Sequence, residues 1–474
     1  MRSCFPFALA MTIFSASAPA KLESSKAIDD IFQPLASQHS PGCAVSATKA
    51  GTKVLDRAFG MADLEQDIPN TPATVFEAGS ASKQFTAAAV LHLAKEGKLA
   101  LTDDIRKYVP EIRDYGATIT IDHLLRHTNG MRDWRFVRGL GGHALGTHVN
   151  SNADALDAIS RQRALNHQPG AKFAYTNSGY NLAAIIVERV SGQRLAAYSK
   201  EKIFDPIGMK STQWRDDFSR IVKNRAVAYG VGPTGFKWDM PFENAYGAGG
   251  LLTTTGDLLL WNQALDDGRF GREFATKLEE QGRLNSGEVI NHGRGLFIET
   301  YRGTKEVSHG GVTLGYVAFL ARFPEHRVSV AVLCNGSWLD PSGLAHKVAD
   351  QLLPEHLPPA RTAARSDYRP ARLAGSMSPR WAPSPTELEQ LSGLYESDEA
   401  LAVYLARIED GRLVLQLRGQ PGQKHILSPT YRDSFVFVGG SIKFQRNATG
   451  AVSSMTLSAS RIRELSFERL LPVT

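Results

Sequence analysis

FEAGSASKQFTAAAVLHLAKEGKL, residues Phe76 to Leu99, carries the strongest local signal in the chain. It opens with a short extended entry and a Gly-Ser turn. Ala81 to Glu96 then holds Ala, Leu, Lys, Gln and Glu with no Pro or Gly, which predicts a helix. Gly97 supplies the stop. Phe85, Ala87, Ala88, Ala89, Val90, Leu91, Leu93 and Ala94 leave almost no polar face, so burial on most sides is expected. Ser80 and Lys83 nevertheless stand at its N-terminal end, three residues apart and therefore on one face. A serine hydroxyl is a poor nucleophile until a base takes its proton. A lysine serves as that base if burial and the helix dipole disfavour its charged form.

Ser-x-x-Lys alone does not decide the matter, because the chain carries it three times. Ser46 and Lys49 lie in an expected strand, where a separation of three puts side chains on opposite faces. Ser199 and Lys202 lie in YSKEKIF, a charged stretch expected to be a solvated helix face. Only Ser80 and Lys83 have an apolar helix behind them.

The chain has 474 residues, 42% hydrophobic and 22% charged, an ordinary globular composition. It begins MRSCFPFALAMTIFSASAPA: Arg2, an apolar stretch from Phe5 to Phe14, then Ala18-Pro19-Ala20. Residues 1–20 therefore read as a secretory signal peptide cut after Ala20, which predicts a periplasmic or secreted protein. No later run approaches membrane-spanning length, so no transmembrane anchor is expected. Loss of Arg2 takes Lys+Arg from 54 to 53 against 48 Asp+Glu, a net charge of +5. That is modest, and no basic run is interleaved with aromatics, so nucleic-acid binding is not supported. Cys43 and Cys334 are the two cysteines beyond the signal stretch. In an oxidising compartment they could pair; two separate buried thiols are the equal alternative.

Residues 21–352 read as one unit of strands at both ends with helices between. Ile28 to Ala36 is a short helix. Cys43 to Lys49 and Lys53 to Gly60 form a hairpin around Ala50-Gly51-Thr52. Asp122 is placed as a helix N-cap, and His127 to Gly130 as a turn. Trp134 to Val149, rich in Gly and His, is placed as a surface loop. Helices follow at Asn152 to Gln162 and Asn181 to Val190. Tyr316 to Phe323 and Arg327 to Cys334 form an antiparallel hairpin. One antiparallel sheet is expected, its first and last strands meeting and helices packed on it, an α+β architecture. Residues 353–385, rich in Pro, Ala and Arg, read as a linker. Residues 386–474 are short alternating runs broken by Asp410-Gly411, Gly439-Gly440 and Thr449-Gly450, a small β-barrel.

Three further features would complete a serine site. Tyr175-Thr176-Asn177 puts a phenol and an amide on one side of an extended turn. The phenol can serve as acid or base, and the amide can hold a substrate carbonyl or amide. His309-Gly310-Gly311 precedes the closing hairpin, and its glycines permit a close backbone approach to a ligand. The next N–H, on Val312, could join that of Ser80 as an oxyanion hole. His143 and His148 lack a third ligand at useful spacing, so no metal site is expected there.

In this order the motifs resemble the penicillin-recognising serine hydrolases: class C β-lactamases, DD-peptidases, and related esterases and D-aminopeptidases. GSASKQFTAAAV matches the nucleophile motif, YTN the Tyr-x-Asn motif, and HGG stands where the family has Lys-Thr-Gly or His-Thr-Gly. LLRHTNGM, FAYTNSGYNLAAIIVERVSG and GAGGLLTTTGDLLLW look like its connecting segments. The resemblance covers roughly residues 28–352. It implies the antiparallel sheet with an all-helical subdomain, and a lipocalin-like barrel after it. It implies Ser80 as nucleophile, Lys83 and Tyr175 as proton carriers, and Asn177, His309, Gly310, Gly311 and Val312 as substrate-binding positions. No metal or cofactor is implied; the partner is a small-molecule or peptide substrate, and the oligomeric state is left open. The departure at HGG removes the cation and hydroxyl of Lys-Thr-Gly, since His309 is ordinarily uncharged near neutral pH, though Thr313 stands near. A peptidase or esterase is therefore expected before a DD-carboxypeptidase or β-lactamase. A non-catalytic binding or scaffold protein of the same fold is the alternative from another class.

Overall fold

Why the ends of the first unit meet is visible in strand register. The computed structural model describes residues 25–359, 381–420, 422 and 424–470; the signal-peptide stretch and most of the linker lie outside them. Strand β1 (Cys43–Lys49) turns at Ala50-Gly51 into β2 (Thr52–Phe59). The chain returns late as β3 (Phe297–Tyr301), β4 (Thr304–Thr313), β5 (Tyr316–Phe323) and β6 (Val328–Cys334). The antiparallel sheet has the order β3-β4-β5-β6-β1-β2. β6 pairs with β1 so that Cys334 faces Cys43, and the two form a disulfide.

β6 reads VSVAVLC and is buried at every position, the pattern of a strand covered on both faces. One face packs on helices α1 (Ser25–Phe32) and α6 (Pro341–Leu352) through Ile28, Phe32, Val45, Val330 and Val348. The other carries α2 (Lys83–Lys95) and α5 (Thr255–Asp266), with Ala44, Phe85, Trp261 and Leu333 in one larger core. α2 is buried from Lys83 to Leu91, as its composition predicts. Two of its buried polar side chains find partners: Trp261 Nε1 donates to Gln84 Oε1 at 2.6 Å, and Thr86 donates to the Gly247 carbonyl at 2.8 Å.

Several local expectations change. The N-cap before His123 is Thr120, whose hydroxyl accepts from His123 N; Asp122 stands one turn position inside the helix Ile121–Leu125. Asp122 is drawn there by ion pairs to Arg126 and Arg294. The 134–149 stretch is not all loop: Trp134–Leu140 is helix α3, capped by Asp133, with Trp134 and Val137 fully buried. The helix placed from Asn181 starts four residues earlier, as α4 (Asn177–Ser191), because Thr176 caps it by accepting from Ser178 N. Ser199, assigned to a solvated face, is fully buried.

The C-terminal residues form a short helix α7 (Pro385–Leu391) and nine strands: β7 (Gly393–Ser397), β8 (Ala402–Glu409), β9 (Arg412–Leu417), β10 (Lys424–Ile426), β11 (Ser428–Tyr431), β12 (Ser434–Phe437), β13 (Gly440–Arg446), β14 (Val452–Ala459) and β15 (Ile462–Arg469). Their order, β10-β9-β8-β7-β15-β14-β13-β12-β11, makes a nearly closed barrel. Tyr395, Leu415, Met455 and Phe467 fill it. Val137 of α3 belongs to that barrel core, and Tyr404 Oη donates to the Leu140 carbonyl at 2.9 Å. The helix missed in the sequence is thus the seat of the barrel. Among the described residues, no helix is long and apolar enough to cross a membrane.

The disulfide joins residues 291 apart in sequence, so its loss frees a very long loop in the unfolded chain. Replacing both cysteines by serine is expected to cost about 2–5 kcal/mol of unfolding free energy. Urea midpoints of the two proteins measure this; equal midpoints would contradict it.

Candidate active site

A single tight turn, Gly79–Ser82, carries Ser80 into the first residue of α2, Lys83. Lys83 is 0% exposed. Its Nζ lies 3.0 Å from Ser80 Oγ, 3.0 Å from Asn177 Oδ1 and 2.6 Å from the Ala248 carbonyl. The last two oxygens only accept. A neutral amine has two N–H groups and one lone pair, so these acceptors use both N–H groups and the lone pair is left facing the serine hydroxyl. Burial holds the lysine well below its usual range; the charges of Arg461 and Arg135 act in the same direction, and Asp133 opposes them.

Tyr175 precedes the Thr176 cap, and Asn177 opens α4, so both side chains converge on Lys83. The lysine nitrogen stands 4.9 Å from the phenol ring centre. The phenol is hydrogen-bonded to Ser80, yet burial outweighs that bond and pushes its pKa up. Burial thus favours the protonated phenol and the uncharged amine. Asn177 is held at both ends: Oδ1 accepts from Lys83, and Nδ2 donates to Asp133 Oδ2 at 3.0 Å. Its oxygen and one of its two amide N–H groups are thereby engaged.

β4 brings the HGG stretch alongside the Ser80 turn, backbone against backbone. A Cβ on Gly311 would lie 1.9 Å from the Ala78 carbonyl oxygen and 3.0 Å from Ser80 N. A Cβ on Gly79, whose φ is +51°, would lie 2.7 Å from Val312 N. Glycine at both positions is what allows the Val312 and Ser80 amides to share one wall of the site. Gly310 has more room, with Phe319 at 3.5 Å. His309 is 2% exposed and turned inward against Phe297, Tyr175 and His292. Burial lowers its pKa to about 3, so it brings no charge to the site at neutral pH. Thr313 is buried in the same strand, its hydroxyl 3.9 Å from a Cβ built on Gly249.

The other two Ser-x-x-Lys copies do not form such a pair. Ser46 Oγ bonds to Asp56 and Thr255, while Lys49 Nζ donates to the Leu352 carbonyl. Among the described residues no group of His, Cys, Asp and Glu is placed to hold a metal; His143 and His148 stack on one another.

Four contributors went unrecognised in the sequence. The Ala248 carbonyl is backbone and leaves no residue-type signal. His127 lies in the expected turn, with its ring 4.1 Å from that of Tyr175, and its Nδ1 accepts from Thr176 N at 3.3 Å. Asp133 is fully buried. It caps α3 and receives Asn177 N at 2.8 Å. Its only sequence signal is its place before an apolar helix. Arg461 comes from the β14–β15 turn of the barrel, 4.7 Å from the Tyr175 ring centre and 3.1 Å from Asp133 Oδ2. No local pattern announces it.

Residues 28–353 match the family model described as Beta-lactamase. The chain is 28% identical over 342 residues to Penicillin-binding protein 4* of Bacillus subtilis, covering 66% of this chain and 72% of that one. The octameric penicillin-binding protein homologue from Pyrococcus abyssi superposes over 94% of this chain and all of its own, with 25% identity and a TM-score of 0.63. D-amino acid amidase from Ochrobactrum anthropi SV3 shares the fold over 69% of this chain and 96% of its own, with 21% identity and a TM-score of 0.58.

The 1.9 Å contact gives a direct test of the β4 approach. Gly311→Ala must push β4 away from the Ser80 turn. Reaction of Ser80 with a fluorophosphonate is expected to fall by about 10²-fold or more, the scale of one lost oxyanion donor. Gly97→Ala, at a helix end with open space around it, should leave that reaction unchanged.

Proposed function

Because the chain belongs to the Beta-lactamase family, a family of serine hydrolases acting on amide bonds, we propose that it cleaves small amide or ester bonds through an acyl group on Ser80. The observation that carries this is the buried Lys83 amine, its two N–H groups taken by Asn177 Oδ1 and the Ala248 carbonyl, and Ser80 Oγ 3.0 Å away. Ser80 Oγ attacks the substrate carbonyl carbon while its proton passes to Lys83 Nζ. The Ser80 and Val312 amides receive the developing oxyanion. The carbon–nitrogen or carbon–oxygen bond then breaks. Tyr175, protonated at rest, gives its proton to the leaving group and recovers one from Lys83. Water attacks the acyl-serine as Lys83 Nζ takes its proton; the bond between Ser80 Oγ and the acyl carbon then breaks, and Lys83 returns that proton to Ser80 Oγ.

Amide substrates, including D-amino-acid peptides, come first, in keeping with the D-amino acid amidase that shares the fold. His309 is uncharged and turned inward. The strand beside the serine therefore lacks the cation that Lys-Thr-Gly would offer a β-lactam or D-alanine carboxylate, which supports placing these substrates second. The N-terminal signal-like stretch favours a periplasmic or secreted location.

The test is covalent labelling. A fluorophosphonate and a fluorescent penicillin are each mixed with the protein, and the label is located by peptide mass. Label on Ser80 from the fluorophosphonate, absent in Ser80→Ala, is expected. Label at another residue, or none, would overturn the proposal. Penicillin label on Ser80 would move β-lactams and cell-wall peptides to first place. Lys83→Met is expected to slow acylation by about 10²–10⁴-fold.

The pH profile has a defined sign. Lys83 works uncharged, so the rate rises with pH through its pKa. Burial lowers that pKa, so the rise should be complete well below the ordinary lysine value of about 10.4. A rate still climbing at that pH would contradict the assignment.

A further inference from the structure

The barrel sends one side chain into the site. Arg461 sits in the two-residue turn between β14 and β15, next to Ser460, whose φ is +46°. That turn is clamped against the first unit. Arg132 donates to the Arg463 carbonyl at 3.0 Å and pairs with Glu399 at 3.2 Å, both side chains under 5% exposed. Asn166 donates to the Arg461 carbonyl at 2.9 Å and accepts from Arg463 N at 2.8 Å. The position of Arg461 is thus set by contacts of the backbone around it.

From Arg461 an unbroken chain of polar contacts leads to the lysine. Arg461 Nη1 lies 3.1 Å from Asp133 Oδ2. The same oxygen receives Asn177 N at 2.8 Å and Asn177 Nδ2 at 3.0 Å. Asn177 Oδ1 accepts from Lys83 Nζ at 3.0 Å. Because Nδ2 is committed to Asp133, the amide cannot flip, and its oxygen must face the lysine.

We infer that Arg461 is a positioning residue for Lys83: it anchors the Asp133–Asn177–Lys83 chain and offsets the Asp133 charge, which lies beyond Asn177 from the amine. This rests on the reading of Lys83 as the base. The groups around Lys83 come from every side. Ser80 and Tyr175 flank it, and the Tyr180 ring of α4 is 5.6 Å away. His127, His292 and His309 lie behind Tyr175 and are kept neutral by burial. Arg135 is within electrostatic reach and is paired with Glu243 at 2.8 Å. Asp133 is the group that favours the charged lysine, and Arg461 is the cation in contact with it. Removing Arg461 leaves Asp133 to hold a proton on Lys83, so the base becomes available only at higher pH.

Two readouts test this. The first is the rate of Ser80 phosphonylation against pH in wild type, R461A, R461K and R461A/D133N. In R461A the acid limb is expected to move up by about half to one pH unit. Rates on the limb then fall about three- to tenfold and rejoin wild type at high pH. R461K keeps the charge and should move the limb by less than half of the R461A shift. D133N removes the carboxylate charge, so the double variant should recover the wild-type limb. The second readout needs no catalysis. In Ser80→Ala protein, pulse acetylation of Lys83 with acetic anhydride, read by peptide mass, reports the uncharged amine; R461A should shift that curve in the same direction. A R461A limb that superposes on wild type would overturn the inference. So would a loss equal at all pH values that D133N does not relieve. If Ser80 in wild type is never phosphonylated, the proposed function fails, and the acetylation curves still decide whether Arg461 acts on Lys83.

Discussion

An amine buried without a carboxylate partner is the constraint around which this site is built. Lys83 is closed off from water and bonded to two carbonyl oxygens that cannot donate to it. A charged ammonium there would lose its hydration and gain only dipoles in return. The uncharged form is the one the site suits, and it presents a lone pair to Ser80. Much of the surrounding structure serves that arrangement. The apolar faces of α2 exclude water, Thr176 starts α4 where Asn177 can reach across, and the Gly247–Gly250 stretch turns the Ala248 carbonyl inward. The helix entry cannot move without dismantling the base.

The second constraint is backbone proximity. β4 passes the Ser80 turn so closely that no side chain fits at Gly79 or Gly311. The price of this packing is strict residue identity at both positions. The six-stranded sheet makes the approach possible by holding β4 rigidly between β3 and β5. The Cys43–Cys334 link ties the first strand to the last in that sheet. Sheet and site are therefore mechanically one object, and the outward part of β4, at Val312, is where they meet.

The barrel contributes through a single hairpin turn. Its own core is separate, filled by residues such as Tyr395, Leu415 and Phe467. Helix α3 joins the two parts: Trp134 lies in the core of the first unit and Val137 in that of the barrel. Asp133, which caps α3, is also the residue that Arg461 and Asn177 share. One buried carboxylate thus links the seat of the barrel with the asparagine that orients the lysine. A sequence reading had no means to find this, since Arg461 and Asp133 are 328 residues apart and each is ordinary in its local setting.

Parts whose signal is local are legible without a structure. Helix α2 follows from its composition, the strands from alternation and turn residues, and the pairing of Ser80 with Lys83 from a three-residue helical spacing with an apolar stretch behind it. Tyr175, Asn177 and the HGG stretch were legible because each lies in a short motif. Tertiary structure alone decided the rest. Whether Cys43 and Cys334 meet depends on the register of strands 291 residues apart. The inward turn of His309 depends on Phe297 and His292 packing over it. The α3 helix is hidden in the sequence because it is only 7 residues long and runs straight into the Gly- and His-rich GLGGHALGTHV. The presence of Arg461 in the site depends on how a barrel hairpin docks. Local spacing encodes local geometry, whereas charge, burial and proximity at a site are sums over everything that folds around it, and those sums exist only once the chain has closed.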